Sequence, residues 1–404
     1  MHCLTRAHLA AWTVIFSACI PAEPLANPVE RDGAIPDASP RDGAVTDSAS
    51  TPDASSDAGP ARARDPWLWP FAADSIWNKP IGSGAVYREA ALEPAANVGV
   101  DIQHVLKSSA SDPEREVLES PTWGPGRCSG TAALPYTLNV PDDWIVEDAG
   151  DSNPFGLTPN SNAAFLLPDG DTLLQLVKVS RCAARGPVYA PDFTRFPDNR
   201  GMESVRGDGV SGGGQGASGM SSLGGTIRLG ELTGDRPLQH AIKLNPWARK
   251  YLHYSLEVPG FRWPALAADN YAADPMIGYD PGSFGRASAP WLVMGSLLAI
   301  PPSVRAEDLG LRTVPGRILF EALQNYGAYF TEDAAWDTWD LIVERGVPDE
   351  VAARTGSEIE GVDGDFGYDL NVLVTYLSVV DDNTPTRIGG AGPPRAPLAP
   401  PFTE

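Results

Sequence analysis

Positive charge is scarce in this sequence: 30 lysines and arginines stand against 52 aspartates and glutamates, a formal net charge of −22 over 404 residues. That imbalance excludes nucleic acid and anionic lipid headgroups as partners of the bulk surface. Cysteine is scarcer still. Of four, Cys3 and Cys19 fall in the leader and only Cys128 and Cys182 remain in the folded part. In an oxidising compartment these two are expected to form a disulfide, and a metal site built on them would lack a second pair of ligands. The N-terminal apolar run from Leu9 to Phe16 is too short for a permanent membrane span. No internal repeat is evident. His104 and His253 have no partners at metal-ligand spacing, which argues against zinc.

Glycine and proline, by contrast, are plentiful, at 41 and 39 residues. They disfavour long helices and favour short strands joined by turns. The expected class is mainly β: a β-sandwich or jelly roll with large loops and two or three short helices.

Arg6, the apolar run and the small residues Ser17 and Ala18 before Cys19 read as a secretory signal over residues 1–19 with a lipoprotein-type cysteine. Ile20 after Cys19, in place of Asp, points to the outer membrane. The expected location is therefore exported, either outer-membrane-anchored or extracellular, with a lipid on Cys19 as the sole membrane contact. Residues 20–64 cycle through Asp, Ala, Ser and Pro with almost no large apolar side chain, a solvated tether. A single β-rich domain is expected over 65–388, and an extended or disordered tail over 389–404.

Within the domain, Leu134–Val140, Ala163–Leu167 and Leu173–Val179 read as strands, the last two joined by the turn segment "LPDGD". One helix is expected from Pro315 to Gly327, with Leu319, Phe320, Leu323 and Tyr326 on one face. A second is expected after Asp333, carrying Trp336, Trp339 and Val343 up to Gly346. "TIRLGEL" and "LQHAIKLN" read as a hairpin about Thr233–Arg236, which would make Glu231 and His240 diagonal neighbours on one face.

The glycine-rich run Gly207–Gly225 precedes that hairpin and is expected to fold over it as a long loop. Gly214, Gly216 and Gly219 have dinucleotide-motif spacing, and Gly209, Ser211 and Gly213 match a nucleophile elbow. Neither has the required strand and helix around it. Glu231 and Asp208 are the candidate acid and base, or nucleophile, of a glycosidase. His240 and Tyr326 are the candidate proton-transfer pair of a lyase. Trp77, Trp263 and Tyr271 are candidate sugar-stacking rings, with Arg228 and Gln215 as polar substrate contacts. Asp333 and Asp337 serve equally well as active-site acids or as a helix cap and an exposed residue. No cofactor is expected, although Asp363, Asp365 and Asp369 have a calcium-like spacing without the remaining loop ligands.

The segments "SGMSSLGGTIRLGEL", "QHAIKLN", "FRWPA", "MGSLLAIPP" and "LQNYGAYFTEDAAWD" resemble a family of secreted bacterial proteins of actinobacterial and myxobacterial type. The resemblance extends to Trp77-Asn78, His240 and Tyr326–Tyr329, and implies one fold unit in a secreted setting but no activity. The expectation carried forward is a surface lipoprotein whose domain engages polysaccharide or cell-surface glycan, cleaving it as a glycosidase or lyase. The alternative is a non-catalytic glycan-binding or adhesion module.

Overall fold

The computed structural model describes residues 63–149, 159–192, 201–210, 213–279 and 289–402. The expected signal segment, Cys19 and nearly all of the expected tether lie outside them. The described chain forms thirteen strands, mostly short: β1 (Tyr87–Glu89), β2 (Asn97–Lys107), β3 (Glu114–Glu119), β4 (Ala133–Asn139), β5 (Ala163–Leu166), β6 (Thr172–Leu176), β7 (Val188–Ala190), β8 (Met202–Ser204), β9 (Ile242–Pro246), β10 (Leu297–Ala299), β11 (Ala328–Phe330), β12 (Thr338–Glu344) and β13 (Ser378–Val380). Ten make one sheet in the order β1-β13-β10-β11-β9-β12-β2-β5-β6-β8, and three make a second, β4-β3-β7. Four short helices accompany them: α1 (Ala248–Tyr251), α2 (Val314–Asn325), α3 (Val347–Thr355) and α4 (Asp365–Thr375). The mainly-β, sandwich-like class holds.

Period-two alternation explains the layering. On β5, Ala163 and Phe165 face a core shared with Val117, Leu138 and Val188 of the small sheet. Ala164 and Leu166 face the larger core on the other side. β5 and β6 pair antiparallel with Leu166 opposite Leu173, and Gly170 (φ +74°) supplies the left-handed turn residue between them, as "LPDGD" implies. A disulfide joins Cys128 and Cys182. α2 starts where Thr313 accepts the Gly316 N–H, with Pro315 in its first turn.

Three expectations are corrected. Residues 338–344 form β12 instead of a helix, because "TWDLIVE" is rich in β-branched and aromatic residues and pairs on both sides, parallel with β2 and antiparallel with β9. The 227–244 hairpin does not form. β9 is flanked by β11 and β12 and has no free edge, so Ile227 bridges to Val343 instead, while Glu231 turns back to accept the Arg228 N–H at 2.6 Å. The tail is extended but pinned to the domain: Arg395 N–H donates to the Ile81 carbonyl at 3.0 Å, and Arg64 N–H to the Pro401 carbonyl at 2.9 Å.

Candidate active site

β9, β12 and β2 lie side by side, and their register sets one face. Ile342 of β12 is opposite Asp101 of β2, and Asp340 is opposite Gly99. Asp340 is also opposite Asn245 of β9, which places Lys243 and Asn245 on the same face as Asp340, Asp101 and Gln103. Asn162 continues the row just before β5, where the His104 N–H donates to its carbonyl at 2.9 Å, and Gln175 of β6 follows. Charged and amide side chains thus cross the middle of the sheet in a stripe, with apolar residues on the neighbouring alternate positions.

β11 leads into Glu332 at the edge of this stripe. Its backbone N–H donates to Asn245 Oδ1 at 3.0 Å, and its carboxylate accepts from Asn162 Nδ2 at 3.0 Å and from the Gly216 N–H at 2.5 Å. Turning the Gln215 amide so that its nitrogen donates to Glu332 Oε2 (2.7 Å) lets its oxygen accept from Lys243 Nζ (2.9 Å). Lys243, wholly buried, also donates to the carbonyls of Ser221 (3.1 Å) and Ser222 (2.8 Å).

Here the glycine-rich run acquires its physical role: residues 213–225 cover the polar stripe. Ser221 Oγ and the Leu223 N–H both donate to Gln175 Oε1, at 2.7 and 3.0 Å. A Cβ on Gly224 or Gly225 would lie 2.3 Å from the Trp77 ring, so only a bare backbone can cross that indole. Gly216 itself is exposed, which puts the Glu332 carboxylate directly beneath the surface.

The electrostatics follow from this burial. Desolvation holds both Asp101 and Glu332 well above the usual carboxylate range; the neighbouring Glu332 adds to the rise at Asp101, by charge and by hydrogen bonding, and Asp269 adds to the rise at Glu332. Lys243 favours the anion of either group, but Glu332 alone also accepts from the Gly216 N–H and the Asn162 amide, which favour its charged form. The proton of the pair therefore resides on Asp101. Burial pushes Asp340 up to about 7 despite the Thr338 hydroxyl it accepts from, and pushes Lys243 down to about 7 against the pull of Glu332 and Asp101. Alongside, Asp333 is pushed up to about 8 by burial and by Asp269, and accepts from the Tyr271 hydroxyl at 2.9 Å and the Ala248 N–H at 2.6 Å.

The residues expected from sequence are placed as follows. Gln215 lies at the centre of the network. Tyr271 lies at its margin, half-buried against Asp333. Glu231 and His240 do meet, Oε2 to Nε2 at 3.3 Å, and both are buried. The cavity beside them, bordered by Trp77, Arg228 and His240, is about 10 Å³, room for about one water and not for a sugar. Asp208 is exposed, caps the Val210 N–H at 3.1 Å and acts electrostatically on Glu203, so it is not an opposing partner of Glu231. Tyr326 is buried at the end of α2, its hydroxyl pushed up to about 12 by desolvation.

Trp77 is enclosed, 1% exposed, with Nε1 donating to the Gly209 carbonyl, which removes it as a sugar platform. Arg228 is bound to Glu344 at 2.7 Å and stacks on Trp67. Trp263 is half-buried against the main core. Asp369 spends its carboxylate on Thr313 and Arg312 at the start of α2, and Asp365 pairs with Arg312. Asp337 pairs with Lys250 at 3.2 Å.

Sequence reasoning missed Asp101, Lys243, Glu332 and Asp340. The available signal was a charged residue inside each otherwise apolar segment, "VDIQ", "IKLN" and "WDLIV". No family model, curated protein or solved structure matches this chain.

Proposed function

We propose that this protein is a glycan hydrolase in which Asp101, carrying the proton it shares with Glu332, is the general acid, and Asp340 is the opposing carboxylate. The observation that carries this reading is the set of three desolvated carboxyls on one sheet face, beside a single buried ammonium. Such competing environments are how acids and bases are poised near neutral pH. The Asp101–Glu332 contact is too short to be a glycosidase acid and nucleophile pair, whose carboxyls stand about 5 to 9.5 Å apart. Asp101 and Asp340, however, are diagonal neighbours across β2 and β12, about 7 to 8 Å apart at the backbone. Residues 213–225 cover these carboxyls, so the reading requires that segment to move aside; Asp101 then gives its proton to the glycosidic oxygen as that oxygen's bond to the anomeric carbon breaks, while Asp340 activates water or attacks the carbon. Glu332 and Lys243 set which carboxyl holds the proton.

The test is mass-spectrometric product detection on a panel of polysaccharides. Wild type is expected to release saturated oligosaccharides, with Asp101→Asn and Asp340→Asn each lowering the rate by about 10² to 10⁴ at unchanged fold. The rate should be bell-shaped in pH, because both a proton and an anion are needed. Unsaturated products would indicate elimination, and full activity in both variants would sink the assignment.

The binding-module reading also has an observation in its favour. Among the described residues, a groove of about 490 Å³ lined by Asp74, Lys79, Arg387 and Ile388 lies apart from the carboxyls. Glycan binding without turnover, lost on mutating Lys79 and Arg387 and untouched by Asp101→Asn, would select it.

A further inference from the structure

Basic side chains are few, 30 against 52 acidic ones, and most of those described donate to a carboxylate or a carbonyl. Among the described residues, the basic side chains that donate no hydrogen bond are Lys79, Lys107 and Arg387. Two of the three, half-buried Lys79 and exposed Arg387, line the groove of about 490 Å³. Arg387 Nη1 stands 3.8 Å from Asp382 Oδ2, beyond hydrogen-bond distance. Asp382 has its oxygens engaged elsewhere, by the Val86 N–H and the Ala391 N–H, each at 2.9 Å. The guanidinium fork of Arg387 is therefore uncommitted, and so is the ammonium of Lys79.

The wall of the groove is held by the fold itself. Gly389 N–H donates to Asn383 Oδ1 at 3.0 Å, and the Gly82 and Gly84 N–H groups donate to the carbonyls of Gly389 and Ala391, each at 2.9 Å. A Cβ on Gly390 (φ +86°) would come within 2.8 Å of Ala85 Cβ and Asp382 Oδ1, so bare backbone seats this loop on residues 82–85. A wall fixed in this way loses little freedom when a ligand arrives. Pro385 and Ile388 add apolar lining, and Asp74 and Thr386 add polar lining. Two uncommitted cations on a fixed wall suit an anion held by charge-assisted hydrogen bonds, and the arginine fork matches a carboxylate or sulfate bidentately. Asp74 and Thr386 offer acceptors to hydroxyls beside it.

We infer that this groove binds an acidic saccharide, its carboxylate or sulfate held by Lys79 and Arg387 and its ring hydroxyls by Asp74 and Thr386. For the sugar this rests on the glycan reading above; it rests neither on hydrolysis nor on the buried carboxyls.

The test is calorimetric titration of the full chain with matched neutral, uronate and sulfated oligosaccharides, and with inorganic sulfate. An acidic oligosaccharide is expected to bind at least about tenfold tighter than the neutral one, and Lys79→Gln and Arg387→Gln should each weaken it about tenfold. Lys107→Gln, which removes the third uncommitted cation outside the groove, should leave the affinity unchanged, and Asp74→Asn should tighten it by removing a like charge. Equal affinity for the neutral oligosaccharide, or acidic binding that survives the double substitution of Lys79 and Arg387, would overturn the inference. Inorganic sulfate bound as tightly as the sulfated sugar would overturn it too, because the site would then read the anion alone. Polysaccharide cleavage is scored separately: its absence removes the hydrolase reading and leaves this one, whereas cleavage without acidic-sugar binding at the groove does the reverse.

Discussion

Gly216 and Gly225 belong to one glycine-rich segment yet answer to different constraints. A Cβ on Gly225 would meet the Trp77 ring at 2.3 Å and the Lys243 stem at 2.9 Å, at a backbone φ of +71°. Neither the indole nor the sheet beneath it can retreat, so Gly225→Ala is expected to cost about 2 to 4 kcal/mol in urea unfolding. At Gly216 the sole close neighbour of a Cβ is Glu332 Oε1, at 3.0 Å. Gly216→Ala should therefore change stability by less than about 1 kcal/mol. Its effect belongs to the site: loosening the N–H that stabilises the Glu332 anion raises that carboxyl's pKa, so the pair keeps its shared proton longer and the alkaline limb of the activity profile moves to higher pH. A Gly216→Ala profile that superimposes on wild type, with kinetics measured from pH 5 to 9, would count against Glu332 as the pair's anion.

Among elements, those set by local pattern were legible and those set by neighbours were not. β4, β5, β6 and α2 follow from alternation, a turn segment and a helix cap, all contained in short windows. Trp336, Trp339 and Val343 fit a helical spacing as well as a strand, so the local pattern at β12 points to a helix. What decides it is the pair of flanking strands, which no local window reveals. The Glu231–His240 contact was expected for a wrong reason, since a turn closed by Glu231 brings the two together and not a hairpin. The carboxyls of the site come from β2, β12 and the residue pair after β11, and their convergence is a property of sheet order alone. One element-level feature legible from two residues is the Cys128–Cys182 link, separated by 54 residues. Closing a loop of that length restricts the unfolded chain by about 4 kcal/mol in the chain-entropy model. Cys182→Ser is expected to lose on the order of 3 kcal/mol, and added reductant should lower the Tm of wild type toward the variant without moving the variant itself.

For the whole molecule the same burial that poises the site makes stability depend on pH. Asp340 is raised to about 7, Asp333 and Glu203 to about 8, and Asp101 and Glu332 also lie above their usual range, in each case chiefly through desolvation. Each binds its proton more tightly folded than unfolded, so its contribution is complete below about pH 4 and is lost as pH rises through the folded value. Lys243 runs the other way. Its folded value of about 7 lies below the ordinary lysine value of 10.5, so its contribution changes only between those two values, increasing with pH. From pH 4 to 7 the carboxyls are opposed by His104, which burial and Arg345 lower to about 4 so that its contribution grows with pH up to about 6.5. They outnumber it, and the self-repulsion of a chain with net charge −22 adds to them with the same sign. Below pH 4 the trend reverses, since Asp169 is held under the usual range by the Thr172 hydroxyl and two backbone N–H groups and loses them on protonation. Calorimetry is expected to find the highest Tm near pH 4 and a fall on the order of 5 °C by pH 8. Glu203→Gln and Asp333→Asn, which keep the shape and remove the titration, should flatten that slope. If Tm instead rises from pH 5 to 8, these carboxyls are not held neutral inside the fold, and the acid assigned to Asp101 loses its physical basis.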